Sequence, residues 1–368
     1  MIFRWYYLLL GILFITSCTS NEETYFNGIR LEAPPFPLTV NLKADSLDFG
    51  ELNDGKLIVC DSFLLFESSK YPDFHCYLFD KEDGKFRVKL CPKGEGPDEF
   101  RLCLNFEQNT EKANGDKMLW LTDPYESSRL INITQSVIKG KTICDSIIPL
   151  SWMEHFQYPP ISLFFLKNGG MLGKNQCEQD FVYDSNYTPG KYHLYHASSD
   201  SLIKEYIIYK KPIASTNRDK GIRRFVNYYI SHDKIKPDET KVVMAMQSVG
   251  QINILDLETG SLTGIYQKES VSFKDLENCN LPLKFYYTNV TVDNQFIFAP
   301  YSGETYLGGY PKSANKIHVF DWSGKTICEI KIDKPVFGIS YDTNNHVLYG
   351  NDHENHVYCY DISFLYKK

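Results

Sequence analysis

The run Ile317-His318-Val319-Phe320-Asp321-Trp322-Ser323-Gly324-Lys325-Thr326-Ile327-Cys328-Glu329-Ile330-Lys331-Ile332 reads as two strands around a tight turn. Apolar and β-branched residues fill both arms, and Asp-x-Ser-Gly between them is turn chemistry. The same arrangement recurs upstream. Cys76 to Asp80 is followed by Glu82-Asp83-Gly84-Lys85 and then Phe86 to Leu90. Ile252 to Asp256 is followed by Glu258-Thr259-Gly260 and then Ser261 to Tyr266. Weaker copies run from Ser128 to Ile148, with the turn expected at Gly140-Lys141, and from Tyr192 to Tyr209. A last half-copy spans His356 to Ile362.

Each hairpin follows another apolar strand. These are Lys56–Cys60, Met118–Leu121, Leu163–Leu166, Val242–Met246, Gln295–Ala299 and His346–Gly350. That makes six units of roughly 60 residues, close to a four-stranded blade of about 40–50 residues plus insertions. The spacing predicts an all-β, six-bladed β-propeller of four-stranded antiparallel blades. A β-sandwich needs fewer strands, and a parallel α/β fold needs helices between them. Asp219 to Ile230 has the best helical pattern and reads as an insertion between strands.

Composition agrees. Tyr 26, Phe 24 and Trp 4 make 15% of 368 residues, and aromatic residues suit a pleated, half-buried surface. Lys+Arg 39 against Asp+Glu 46 gives a net charge of −7, which argues against nucleic acid and against docking on an anionic membrane. The N-terminus carries one early positive charge, Arg4, and an apolar run from Leu8 to Ile15, too short to span a bilayer. Ile15-Thr16-Ser17-Cys18 then resembles a bacterial lipobox, which implies cleavage before a lipid-modified Cys18. An ordinary secretory signal is the simpler alternative. Losing residues 1–17 removes Arg4 and no acid, taking the net charge from −7 to −8. The expected organisation is a signal at 1–17, a tether at 18–35 and a single propeller domain at 36–368. Phe36 to Leu42 is placed to pair with the terminal blade and close the ring. Acidic Glu22-Glu23 behind Cys18 resembles a surface-export signal. Nine further cysteines contain no C-x-x-C, and several sit in strand-like runs where Cys acts as a small hydrophobe.

Two stretches resemble a known family. Lys236-Pro237-Asp238-Glu239-Thr240-Lys241-Val242 is similar to the S-P-D-G-x-K turn of TolB-type propeller repeats, with Glu239 in place of Gly. Lys93-Gly94-Glu95-Gly96-Pro97-Asp98-Glu99-Phe100 resembles the G-x-G-P-x-E-F segment of Bacteroidetes TolB-like six-bladed propeller lipoproteins, and Lys316 to Ile362 resembles their final blade. The resemblance implies a six-bladed propeller at the cell envelope and no particular activity.

Candidate chemistry is sparse. Lys93–Phe100 is Gly-rich, but Pro97 and the acids do not suit phosphate, and a blade connection explains it. Asp352-His353-Glu354-Asn355-His356 holds metal-capable residues one residue short of H-E-x-x-H, and reads as a polar hairpin turn. No G-x-S-x-G elbow occurs. Arg223 and Arg224 beside Tyr228 could grip a sugar acid or phosphate. Tyr301, Tyr306 and Tyr310 could line a channel mouth and stack on carbohydrate. Asp45-Ser46-Leu47, Asp145-Ser146-Ile147 and Asp200-Ser201-Leu202 resemble D-[ST]-hydrophobic glycosylation sites.

The expected protein is an exported monomer, lipid-anchored at the outer membrane, that binds an envelope protein or a glycan without catalysis. No cofactor and no metal are expected, a structural cation such as calcium being left open. The rival is a propeller enzyme, such as a glycan lyase, hydrolase or lactonase, with its site at the central channel. A third reading is an assembly factor. Convergence of acids and His with shifted pKa values in the channel favours the enzyme, whereas an apolar plug disfavours it.

Overall fold

The computed structural model describes residues 24–50, 54–149, 160–174, 191–196, 201–211, 213, 228–278, 284–305 and 313–367. Cys18, Arg223, Arg224, Tyr306 and Tyr310 lie outside the described residues, as does most of the helical candidate at 219–230. Three short strands come first: β1 (Ile29–Glu32), β2 (Thr39–Leu42) and β3 (Asp45–Leu47).

Six sheets follow around a ring. Blade 1 is β4 (Lys56–Cys60), β5 (Phe63–Glu67), β6 (Phe74–Asp80) and β7 (Phe86–Pro92). Blade 2 is β8 (Asn109–Glu111), β9 (Lys117–Asp123), β10 (Ser127–Asn132) and β11 (Cys144–Pro149), with helix α1 (Ile133–Lys139) between the last two. Blade 3 is β12 (Ser162–Phe165), β13 (Gly170–Lys174), β14 (Tyr192–His196) and β15 (Leu202–Tyr206). Blade 4 is β16 (Ser231–Ile235), β17 (Lys241–Met246), β18 (Gln251–Asp256) and β19 (Leu262–Tyr266), after which comes helix α2 (Phe273–Asn278). Blade 5 is β20 (Lys284–Tyr287) with β21 (Thr291–Val292), then β22 (Phe296–Thr305), β23 (Ala314–Asp321) and β24 (Thr326–Val336). Blade 6 is β25 (Gly338–Asp342), β26 (Val347–Asn351) and β27 (Val357–Asp361). The six-bladed propeller read from the repeat is the observed fold.

Burial explains why most strands read as apolar runs. A blade is packed between two neighbours, so its middle strands are covered on both faces. Val242 to Met246 and Gln251 to Leu255 are buried without interruption. An outer strand has one face toward water, and β24 alternates accordingly. Three hairpins share one turn device. Asp80, Asp256 and Asp321 each accept backbone N–H groups of the turn on Oδ1. Gly84, Gly260 and Gly324 each take a positive φ and donate to the carbonyl of that Asp. The turn expected at Gly140-Lys141 is instead the end of α1. Asn132 caps the helix by accepting Gln135 N–H at 2.9 Å, and Gly140 ends it with φ 66°.

The ring is closed by β3, which pairs antiparallel with β27 and supplies the fourth strand of blade 6. Contrary to the expectation from the sequence, residues 36–42 do not close the ring. Here β2 pairs parallel with β24 of blade 5, and β1 pairs parallel with β19 of blade 4. Pro34, Pro35 and Pro37 interrupt the strand between them, so the chain steps from one blade edge to the next. Earlier still, Phe26 bridges Tyr209 beyond blade 3, and both Tyr25 and Phe26 are buried. The segment from Tyr25 to Leu47 therefore straps the outer edges of blades 3 to 6. Its first part, read from sequence as tether, belongs to the packed domain.

Polar contacts pin neighbouring blades. Asp233 of blade 4 accepts Lys174 Nζ at 2.9 Å, Tyr192 OH at 2.5 Å and Ser162 Oγ at 2.8 Å from blade 3. Its other oxygen accepts Ser231 Oγ. Lys81 of blade 1 reaches Asp342 of blade 6 at 2.5 Å. Because these partners are buried, each must be satisfied in place.

Candidate functional site

The inner strands face the ring axis, and three of them bring charges together there. Lys56 opens β4, Glu107 lies two residues before β8, and Lys234 sits in β16. Lys56 Nζ is 3.0 Å from Glu107 Oε1, and Lys234 Nζ is 2.9 Å from Oε2. Blades 1 and 4 stand opposite in a ring of six, so Glu107 joins them across the axis. Local backbone chemistry places it. Asn105 Oδ1 accepts the Glu107 N–H at 2.7 Å, and Glu107 takes φ 60°. The carbonyl of Asn105 accepts Lys56 Nζ at 2.6 Å, and that of Phe106 accepts Lys234 Nζ at 3.3 Å. Alternation along β16 turns His232 and Lys234 to the axis, while Ser231 and Asp233 face blade 3.

One carboxylate serves two ammonium groups, and burial is uneven. The side chains of Lys56, Glu107 and Lys234 are 38%, 5% and 11% exposed. Burial opposes the charge of Glu107, but Lys234 and then Lys56 outweigh it and hold its carboxyl below the usual range. Lys56 is raised, burial being outweighed by Glu107 and Glu67. Lys234, more deeply buried, is lowered to about 8. Burial brings His232 down to about 4, so it is neutral at pH 7. Burial pushes Glu67 up to about 8, with Cys103 adding and Lys56 opposing. The axial cluster thus carries two positive charges against one negative at neutral pH.

Two atoms at this cluster are buried without a hydrogen-bond partner: Glu67 Oε2 and Asn105 Nδ2. An unpaired buried donor and acceptor beside two lysines can take a ligand that brings both an acceptor and a donor. Acids and a histidine with shifted pKa values converge at the axis, the outcome that counts toward the enzyme reading and against an apolar plug. None of these residues forms a sequence motif. Ser231-His232-Asp233-Lys234, directly before an apolar strand, is the one local signal that charge enters the interior.

The candidates from sequence fall elsewhere. Tyr228 and Tyr301 are buried. Tyr228 belongs to the aromatic core around Tyr209, Tyr229 and Phe273. Tyr301 stacks on His318 at 4.2 Å and donates to Glu269 Oε1 at 2.5 Å. Lys93–Phe100 joins blades 1 and 2, and its Glu99 carboxylate accepts the Gly96 N–H at 2.8 Å. A Cβ on Gly94, at φ 155°, would lie 1.8 Å from Glu99 Oε2, so any side chain there would push the Glu99 carboxylate aside. Asp352 organises the His353–His356 turn, accepting the Glu354 and His356 N–H groups and His356 Nδ1 at 2.9 Å. Glu239 in Lys236–Val242 adopts φ 62°, the conformation of the glycine it replaces. Its carboxylate accepts the Lys167 N–H at 2.7 Å. A concave surface of about 690 Å³ lies between the outer strands β7 and β11, with Lys89, Arg129 and Lys141 around Phe100 and Ile147.

No family profile matches the chain. No curated protein matches it either. Among solved structures it is similar to a crystal structure of a member of the DUF4221 family from Bacteroides vulgatus, at TM-score 0.50 and 12% identity, over 87% of this chain and 95% of that one. The likeness is one of fold. Among the described residues, no helix is long and apolar enough to cross a membrane.

Proposed function

We propose that this propeller is an exported, lipid-anchored protein of the cell envelope that binds an acidic glycan at its axis. The carrying observation is the axial cluster, with two lysines to one charged carboxylate and an unpaired buried amide N–H at Asn105. A sugar carboxylate would suit Lys56 and the Asn105 amide, and a sugar hydroxyl the unpaired Glu67 oxygen, these buried atoms being uncovered as the ligand enters. The part-exposed Lys56 leaves the cluster open to solvent. Binding is favoured over turnover because Glu107 has both oxygens committed to lysines and His232 accepts from Gln247 Nε2 at 2.9 Å. Anchoring rests on the Ile15-Thr16-Ser17-Cys18 signal, and the TolB-like resemblance supports an envelope role.

Titration calorimetry of the full chain with uronic-acid oligosaccharides and their reduced, neutral counterparts tests this. Binding of the acidic series alone, weakened at least tenfold by Lys56→Met, is expected. Equal binding of both series, or none, overturns it. The second reading is catalysis by Glu67 as an acid, favoured by its unpartnered oxygen. Release of a cleaved product, lost in Glu67→Gln while binding persists, replaces the binding reading with that one. A Cys18→Ser form that remains membrane-associated would sink the anchor.

A further inference from the structure

Next to the axial cluster, where Cys103 is within electrostatic reach of Glu67, three cysteines meet inside the core shared by blades 1 and 2. Cys76 is on β6, Cys91 on β7 and Cys103 in the segment leading to blade 2. Their three Sγ atoms all lie within 4.8 Å of one another, and all three side chains are buried as free thiols. A thiolate–metal bond of about 2.3 Å places sulfurs of one coordination sphere about 4 Å apart. The triangle therefore has the dimensions of a three-sulfur coordination sphere.

Ordinary packing accounts for buried Cys60 and Cys328, which stand outside this group. The triad differs in how firmly it is built. Cys91 has φ 58°, a left-handed conformation that costs a non-glycine residue about 1 kcal/mol or more. It is held there by Thr142 Oγ1, which accepts its N–H at 2.9 Å. His75 Nε2 meets the carbonyl of Phe100 at 3.0 Å, tying the strand of Cys76 to the segment of Cys103. Phe100 N–H donates to Pro92 O at 2.8 Å, which ties that segment to the strand of Cys91. Arg129, buried over the Phe100 ring at 4.3 Å, brings a positive charge near Cys91. Such supporting contacts orient ligands and offset the charge of a thiolate site.

We propose that Cys76, Cys91 and Cys103 form a three-thiolate site for a soft monovalent ion, copper(I). Soft sulfur donors select copper(I) or zinc. Structural zinc takes four ligands. Among the described residues only these three donors converge. Leu78, Leu90 and Leu121 pack around them, while His75, Asp123 and Glu67 stand within electrostatic reach of Cys103 without joining the triangle. Three-coordinate copper(I) fits that set. Each thiol that ligates gives its proton to solvent, so uptake strengthens as pH rises. The metal keeps its oxidation state, and no sulfur is oxidised. The spacing of 76, 91 and 103 matches no metal motif, because the ligands come from two neighbouring strands and a connection.

The test is copper(I) titration of the anaerobically reduced full chain against bicinchoninate, with zinc in parallel and X-ray absorption of the loaded protein. One retained equivalent is expected, with three sulfurs at about 2.3 Å. Cys103→Ser should weaken retention by more than about 100-fold, beyond the loss of a mere supporting partner, while Cys328→Ser leaves it unchanged. Circular dichroism confirms that each variant folds without metal. Should Cys103→Ser not fold, Cys91→Ser and the sulfur count of the wild type carry the same test. Folded wild type that surrenders its copper, or copper that survives Cys103→Ser, overturns the site. Tighter zinc with a fourth ligand overturns the choice of ion.

Discussion

Replacing Phe26 by alanine should destabilise the whole propeller, although Phe26 precedes the start of blade 1 by thirty residues. The ring is 0% exposed. It lies 6.1 Å from the ring of Tyr209 beyond blade 3 and presses on blade 4 where Gly264 leaves room, since a Cβ there would sit 3.0 Å from Phe26 Cε1. The flanking backbone is paired as well, with Asn27 N–H on Ile208 O at 2.9 Å and Lys210 N–H on Tyr25 O at 2.7 Å. The cavity cannot collapse easily between two sheets, so the loss should be about 3–5 kcal/mol, the range for a buried Phe→Ala change. Neighbouring Ile29 is 67% exposed, and Ile29→Ala should stay within about 0.5 kcal/mol. Urea denaturation of the full chain, followed by tryptophan fluorescence and circular dichroism, measures both. The Phe26→Ala midpoint should fall at unchanged slope, both probes moving together. A midpoint within 0.5 kcal/mol of wild type would refute the reasoning, because the strap would then be an appendage and not part of the core.

Three more outcomes are expected. Asp233→Ala strands Lys174, whose side chain is 1% exposed, and should cost about 3–5 kcal/mol in the same urea assay. Lys174→Met should cost clearly less, since Asp233 keeps three hydroxyl donors. At Glu239, Gly removes the left-handed strain and Ala keeps it, while both lose the Lys167 contact. Glu239→Gly should therefore be near neutral, and more stable than Glu239→Ala by about 1 kcal/mol, read from paired melts. His232 titrates near 4 when folded and near 6.5 when unfolded, so the unfolded chain binds more protons between those values. Stability should fall as pH drops from about 6.5 to 4, by up to about 3 kcal/mol, and His232→Gln should flatten that slope in melts across the window. An equal slope in both proteins would remove His232 as its source.

The repeat was legible because local physics repeats it. Asp at the start of a turn and Gly at its left-handed corner recur at Asp80, Asp256 and Asp321, and each organises only its own hairpin. Blade interiors covered on both faces appear in sequence as apolar runs, so strands, turns and the six-bladed ring could be read from the chain alone. Glu239 shows a limit of that reading. Its identity departs from the expected glycine, yet a carboxylate contact from the next blade holds the same backbone angle.

What joins distant segments was left to the tertiary structure. Residues 45–47 and not 36–42 close the ring, because three prolines interrupt the strap and shift which edge each piece meets. Lys56, Glu107 and Lys234 lie as far apart as 178 positions in sequence, and only ring closure brings blades 1, 2 and 4 to one axis. Cys76, Cys91 and Cys103 meet only because two strands and a connection pack against one core. Short-range rules of turn and pattern determine the blade, whereas the site depends on long-range placement, to which no local spacing corresponds.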